Sequence, residues 1–535
     1  MSGRWRRVRA VLWTDCLFRF RRPSTLVLFL LLSSVAYLWV PDPDTGMALL
    51  VIDGRRALYD STSMALATAV LCSILLGLAG FYLVSHSVAR DLRTRCGFVL
   101  AATPVGNGEY LLGKLLGNAL FLGGLAVGYM VSSMGMQLVR GEAPVEVGVY
   151  LWHYALLVPP SLLTVSAVAV LFEAIPRLSG KLGDVAFFVL WMVAVSGGAV
   201  ASGLSAGGGS GPGIADYFDF GGLGFAVKQI TRQLHTTNFS IGATSFDVAR
   251  PPIHYPGLGL TREWVLPRLT SLFAGLQLFA LAWWRFHRFD PDRVRVRPSQ
   301  QGRGYLQKLD GWLKPVTGWL VARGLRGVGR GAGGRPGLAN AVVADVSLTL
   351  AESPRSLGAL GLFAILSLTL PAGAAFGGLL PAGFLLLALV VAGAGSRERV
   401  AGTRGLVASL PGLGSRYLTW KVLGAVVLGL AFLGPLALRS VLGNPGRALS
   451  ILTGAVFVTA AATALDVIAG TPKAFLLVFL SFWYLVLNDG GAHPVLDFGG
   501  FFGATGWRTR GLYLALAAVV LATAFLVERR RVSRL

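Results

Sequence analysis

Tyr110-Leu111-Leu112-Gly113-Lys114-Leu115-Leu116-Gly117 opens a long apolar run, and Tyr417-Leu418-Thr419-Trp420-Lys421-Val422-Leu423-Gly424 opens another 307 positions later. Upstream, the same offset aligns Arg90 with Arg397, Asp91 with Glu398 and Pro104 with Pro411. Six coincidences in one register, counting the tyrosine, lysine and second glycine, exceed what composition supplies and predict a duplicated chain.

Each copy also opens alike, with Arg9-Ala10-Val11-Leu12-Trp13-Thr14-Asp15 in the first and Asn340-Ala341-Val342-Val343-Ala344-Asp345 in the second. Both read as amphipathic helices lying on the inner surface and leading into a span. Their offset is 330, so the second copy is shorter by about 23 residues, which we place in the polar loop 41–62, reduced to a turn at 372–379. The boundaries expected are a first half at 1–288, a basic linker at 289–338 and a second half at 339–535. Within the linker, Tyr305 to Leu325 suits a short interfacial helix.

The medium follows from composition. Apolar residues make up 54% of the chain, charged residues only 14%, and mean hydropathy is +0.65, so lipid is the solvent. Apolar runs fall at about 24–40, 63–88, 112–138, 149–176, 182–203, 268–288, 356–371, 380–395, 420–437, 448–470, 474–488 and 511–528. The fold class expected is all-α: a polytopic membrane protein of about 12 transmembrane helices, arranged as two parallel six-helix pseudo-repeats related by an axis along the membrane normal. With the amino terminus inside, 36 of the 48 Lys and Arg residues fall on inner segments, and reversing the orientation inverts that bias. The net charge of +23 is therefore a topology signal with an attraction to anionic lipid, and nucleic acid is not an expected partner.

The loop between the second and third spans repeats an acid, a proline and a lysine at matched positions. A charged start sets register, a proline breaks the helix and a basic foot sits at the membrane edge. This pattern, followed by Tyr-Leu-x-x-Lys-x-x-Gly, resembles the permease subunits of type V, ABCG-like, ABC exporters. The resemblance covers essentially the whole chain and is strongest from Ala102-Thr103-Pro104 through Lys114; the second copy departs with Ser409-Leu410-Pro411 and Gly402-Thr403-Arg404. It implies that the two loops are coupling segments contacting cytoplasmic ATPase subunits, in two copies, with Arg90, Asp91, Arg93, Pro104, Tyr110 and Lys114 in the first and Arg397, Glu398, Pro411, Tyr417 and Lys421 in the second. It further implies that 204–267 is an outer gate region and that the second and fifth helices of each half line the path. These carry small and aromatic residues, which suits an amphiphilic or lipid-like cargo. ATP and magnesium belong on the ATPase; this chain is expected to bind no cofactor and to catalyse nothing. A bacterial inner membrane with both termini cytoplasmic completes the expectation.

Other signals are weaker. Gly108-Glu109-Tyr110-Leu111-Leu112-Gly113-Lys114 nearly matches a phosphate-binding loop, but Leu115 stands where Ser or Thr must reach magnesium. Cys16, Cys72 and Cys96 and the six histidines lack metal-ligand spacing. Glu173, Asp184 and Asp466 near inner helix ends read as structural, with Arg177, Lys181 or Lys473 as neighbours. Gly124 to Gly128 is a helix-packing spacing. Phe218 to Val227 suits a segment dipping into the outer leaflet, Ser34-Val35-Ala36 imitates a signal-cleavage site, and Asn238-Phe239-Ser240 is a sequon. The competing class is an ion-coupled carrier of two six-helix halves, which needs a titratable group deep in the bundle. A membrane-embedded lipid transferase needs clustered acids or histidines at one face.

Overall fold

A computed structural model describes residues 3–21, 23–175, 178, 180–206, 219–236, 238–258, 262–286, 289, 337–352, 355–409, 416–441, 443–491, 493–503 and 505–532, with a few positions in 315–322. The chain divides into two compact units, Met1–Val296 and Arg297–Leu535.

In the first unit, α1 (Gly3–Phe20) and α2 (Pro23–Trp39) precede a hairpin of β1 (Met47–Ile52) and β2 (Arg55–Arg56). There follow α3 (Ser61–Val84), α4 (Ser87–Arg93), α5 (Cys96–Ala101), α6 (Asn107–Arg140), α7 (Val147–Ala174), α8 (Lys181–Ala206), α9 (Leu223–Leu234), β3 (Phe239–Ser245) and α10 (Arg262–Arg285). The second unit holds α11 (Leu338–Glu352), α12 (Arg355–Thr369), α13 (Ala372–Val391), α14 (Arg397–Val400), α15 (Arg404–Ser409), α16 (Tyr417–Val441), α17 (Pro445–Ala469), α18 (Pro472–Asp489) and α19 (Trp507–Val532).

Among the described residues, nine helices are long and apolar enough to cross a membrane: α3 continued to Leu92, α6, α7, α10, α13 and α16 through α19. The protein is thus helical and multi-pass. The other three expected runs are also helical but fall outside the nine: α2 has 17 residues, α12 has 15, and α8 covers 182–203. At 1.5 Å per residue α12 reaches only about 22 Å, short of a bilayer's apolar core.

The helix ends follow local rules. Asp60 caps α3, its carboxylate accepting the Ser63 N–H at 2.8 Å. Asn444-Pro445 and Thr471-Pro472 start α17 and α18 with a capping side chain and then proline at the first helical position. In the first unit α7 is the hub, packing along α3, α6 and α10; in the second α17 packs along α16, α18 and α19.

Two features depart from expectation. The polar segment 41–62 and the long segment 204–267 are knit into a three-stranded antiparallel sheet, order β2-β1-β3, with Ile52 opposite Phe239 and Met47 opposite Ser245. Asp53-Gly54, both at positive φ, makes the tight turn of its hairpin. The segment 372–379 is not a turn: Ala372–Ala374 runs through a π-helical stretch, Ala375–Leu379, into the rest of α13. Most of the expected 305–325 helix lies outside the described residues, as do Phe218 of the outer segment and Arg177.

Gly113, Gly117, Gly124 and Gly128 of α6 lie on the face that receives the lead-in helices. A Cβ on Gly113 would lie 2.7 Å from Val11, on Gly124 2.8 Å from Phe20 and on Gly128 2.3 Å from Phe29. Such contacts require glycine, so the Gly124–Gly128 spacing is a packing device.

Candidate functional site

The repeated residues converge on one buried cluster in each unit, at the end of the bundle where α3 gives way to α4 and α13 to α14. In the first unit, the Lys114 ammonium donates to Asp15 Oδ1 at 3.0 Å and lies 2.9 Å from Asp91 Oδ2, while the Tyr110 hydroxyl donates to Asp91 at 2.7 Å. Arg90 reaches Asp15 from α4. In the second unit, Lys421 donates to Asp345 Oδ1 at 2.7 Å and to Glu398 Oε1 at 2.6 Å, Tyr417 donates to Glu398 Oε2 at 2.8 Å, and Arg397 donates to Asp345 at 3.1 Å. The two lists are the same contacts made by matched residues.

Glycine lets the lead-in helix approach. The position of a Cβ on Gly117 is 3.5 Å from Asp15 and that on Gly424 is 3.0 Å from Asp345. The chain breaks between the span and the elbow at His86 (φ 79) in one unit and Gly393 (φ 89) in the other, positions again 307 apart. A carboxylate from the hub helix then takes up the backbone N–H groups that the break leaves without partners. Glu173 accepts from Ser87, Val88 and Ala89 at 2.9, 2.6 and 2.9 Å, and Asp466 accepts from Gly393 at 2.5 Å. Glu173 and Asp466 thus bind backbone N–H groups at the break.

The two aspartates, Asp15 and Asp345, differ in one cation. Arg19, one turn after Asp15, lies 3.0 Å from its Oδ2 and donates to Asn118 at 2.7 Å. The matching position in the second unit is Thr349, whose hydroxyl accepts from Arg397 at 2.7 Å. Burial pushes both aspartates up, because a carboxylate loses hydration there. Arg19, Lys114 and Arg90 bring Asp15 below the usual aspartate value; Lys421 and Arg397 do not suffice for Asp345, which stays above it with Glu398 nearby. Burial lifts Glu398 too, but Lys421 and the Tyr417 hydroxyl hold it low.

Of the residues singled out from sequence, Arg90, Asp91, Tyr110, Lys114, Arg397, Glu398, Tyr417 and Lys421 meet in these clusters, with Lys114, Lys421, Tyr110, Tyr417 and Glu398 buried. Pro104 is exposed and apart from them. Pro411 and the side chain of Arg93 lie outside the described residues. Sequence reasoning did not place Asp15 and Asp345 in the site, although they end the two matched lead-in segments at the offset of 330, and that was the available signal. The near phosphate-loop stretch lies at the start of α6, its lysine engaged by Asp15 and Asp91. Among the described residues no group of three His, Cys, Asp or Glu side chains is placed to hold a metal ion.

Each elbow leaves apolar side chains exposed beside polar ones, Thr94 and Arg95 in the first and Arg399 and Thr403 in the second. In the first, Phe98 is 44% and Val99 69% exposed on α5; in the second, Val400 is 58% exposed after α14 begins and Leu406 71% on α15. The chain matches no family model and no curated protein.

Proposed function

We propose that this chain is the permease subunit of an ATP-binding cassette exporter, with twelve spans in two six-helix halves of like orientation forming the translocation pathway. Two copies of a cytoplasmic ATPase, carrying ATP and magnesium, dock on the elbows at 89–110 and 396–417; no residue of this chain hydrolyses ATP. The setting is a bacterial inner membrane with both termini cytoplasmic.

The observation that carries the reading is the pair of equivalent buried clusters beneath elbow helices with exposed apolar side chains. A loop that only anchors topology needs solvated charge. Here lysine, acid and tyrosine face inward and fasten the elbow to the lead-in helix, so force applied to α5 or α15 reaches the spans through bonded contacts instead of dissipating in a flexible loop. For ATP to drive a change of state the ATPase must contact the two states differently, which a stiff elbow allows. The matched polar residues thus position the elbow, and the docking contacts are the exposed apolar side chains.

The test is whether a soluble protein with Gly-x-x-x-x-Gly-Lys-Ser/Thr is encoded beside this chain and, where it is, whether that ATPase co-purifies with it. Phe98→Asp with Val99→Asp, combined with Val400→Asp and Leu406→Asp, should abolish association while the protein stays folded; Asp91→Ala with Glu398→Ala should weaken it through elbow distortion. Unchanged association and unchanged ATP-dependent transport in both sets would refute the assignment.

A further inference from the structure

Pro159 and Pro160 interrupt α7, and Pro160 has no N–H to offer the Leu156 carbonyl. Arg268 of α10, 2% exposed, takes over: Nε donates to Leu156 O at 3.4 Å and a terminal nitrogen donates to Leu157 O at 2.8 Å. It also donates to the Asp219 carbonyl, while the Asp219 carboxylate accepts the Phe225 N–H at 2.8 Å and holds the start of α9. This polar knot closes one end of a cavity of about 440 Å³ between α3, α7, α8 and α10.

The walls are apolar, with Ile74, Val165, Val168, Phe187, Leu190 and Leu281 among them. Leu190 is 52% and Leu281 40% exposed, so both line the chamber and reach the outer surface, which marks a lateral mouth between α8 and α10. Gly77 keeps the interior open, since a Cβ there would lie 3.2 Å from Trp191 Nε1 and 3.3 Å from Ser161 Oγ. Of the polar side chains on its wall, Ser73 and Ser161 donate to backbone carbonyls, Gln277 is exposed, and the Thr164 hydroxyl, 8% exposed, has no hydrogen-bond partner.

The wall is mostly apolar, which disfavours filling by water. The volume falls within the range of small-ligand pockets, about 300–1,000 Å³, whose usual design is apolar walls with a few polar groups that orient the ligand. We infer that the first unit binds a single alkyl chain bearing an oxygen function, entering sideways from the bilayer, with its chain along α3, α7 and α8 and its oxygen at the Thr164 hydroxyl. The inference stands apart from ATP coupling, because binding is read on the full chain without ATP or any other protein.

The test uses the full chain in nanodiscs with two photoactivatable probes, a diazirine palmitic acid and a phosphatidylglycerol with the same diazirine chain, followed by peptide mapping. Labelling should concentrate on 74–77, 165–168 and 278–281 and be competed by unlabelled palmitate if free fatty acid is the source, or by phosphatidylglycerol alone if the chain belongs to a phospholipid. Gly77→Leu should fill the chamber, and Ala194→Trp, at an exposed position on its wall, should obstruct the mouth; each should cut that labelling at least tenfold. Thr164→Val should weaken competition about three- to tenfold, the worth of one hydrogen bond. Labelling spread evenly over exposed helix faces, or unchanged by Ala194→Trp in a folded protein, overturns the inference.

Discussion

Replacing Lys421 with methionine keeps the length of the side chain and removes its charge. Lys421 is fully buried and is bonded to two carboxylates, at 2.7 and 2.6 Å. Deleting one partner of a buried ion pair costs about 3–5 kcal/mol, because the remaining charge keeps its desolvation penalty without compensation. Arg397 remains on Asp345 and Tyr417 on Glu398, which places the loss near the lower end, about 3 kcal/mol. Lys114→Met in the first unit is the comparison. There Asp15 keeps both Arg19 and Arg90, and Asp91 keeps Tyr110, so the expected loss is about 1–2 kcal/mol. Buried thiols report each unit separately: native Cys16, beside the first cluster, and a cysteine placed at buried Ala464 in the second. Site-resolved labelling in mixed micelles should accelerate at position 464 by about a hundredfold in Lys421→Met, and at Cys16 by about tenfold in Lys114→Met, since about 1.4 kcal/mol is a factor of ten. Equal acceleration in the two units, or less than tenfold at 464, would refute the account of the clusters. Recovery of part of the loss by Glu398→Gln in the Lys421→Met background is the expected control.

Other outcomes follow from the same geometry. Gly128→Leu should destabilise the first unit by about 1–3 kcal/mol through overpacking against Phe29, whereas Gly123→Leu on the same helix, with open space around it, should be nearly neutral in the same labelling assay. Gly393→Ala places a Cβ at φ 89 and should cost about 1–2 kcal/mol, read at position 464. The two aspartates should respond differently to pH. Asp345 is raised in the folded protein, so its contribution is full below the unfolded value of about 3.9 and declines as pH rises through the folded one; Asp15 is lowered, so its contribution is full above about 3.9 and is lost only as pH falls through its depressed value. Unfolding measured from pH 4 to 7 should therefore show a flat cost for Asp15→Asn and a cost for Asp345→Asn that shrinks with rising pH.

The sequence by itself determined that lipid is the solvent and that two elbows share a design, because apolar run length and a repeat of charged residues are properties of linear order. It matched Lys114 with Lys421 and Asp91 with Glu398 by register alone. It did not determine which way those side chains point: an inner-loop lysine reads as a solvated anchor until a glycine face on α6 or α16 is seen to admit a helix carrying Asp15 or Asp345. Only tertiary structure decided that the matched residues are interior fasteners and that the segments 41–62 and 204–267 pair as one sheet. It alone showed Arg268 repairing the proline break in α7 above an apolar chamber. Those outcomes depend on contacts between residues up to about two hundred positions apart, and burial of a charge or the filling of a helix gap is settled by what packs across from it, which no local pattern encodes.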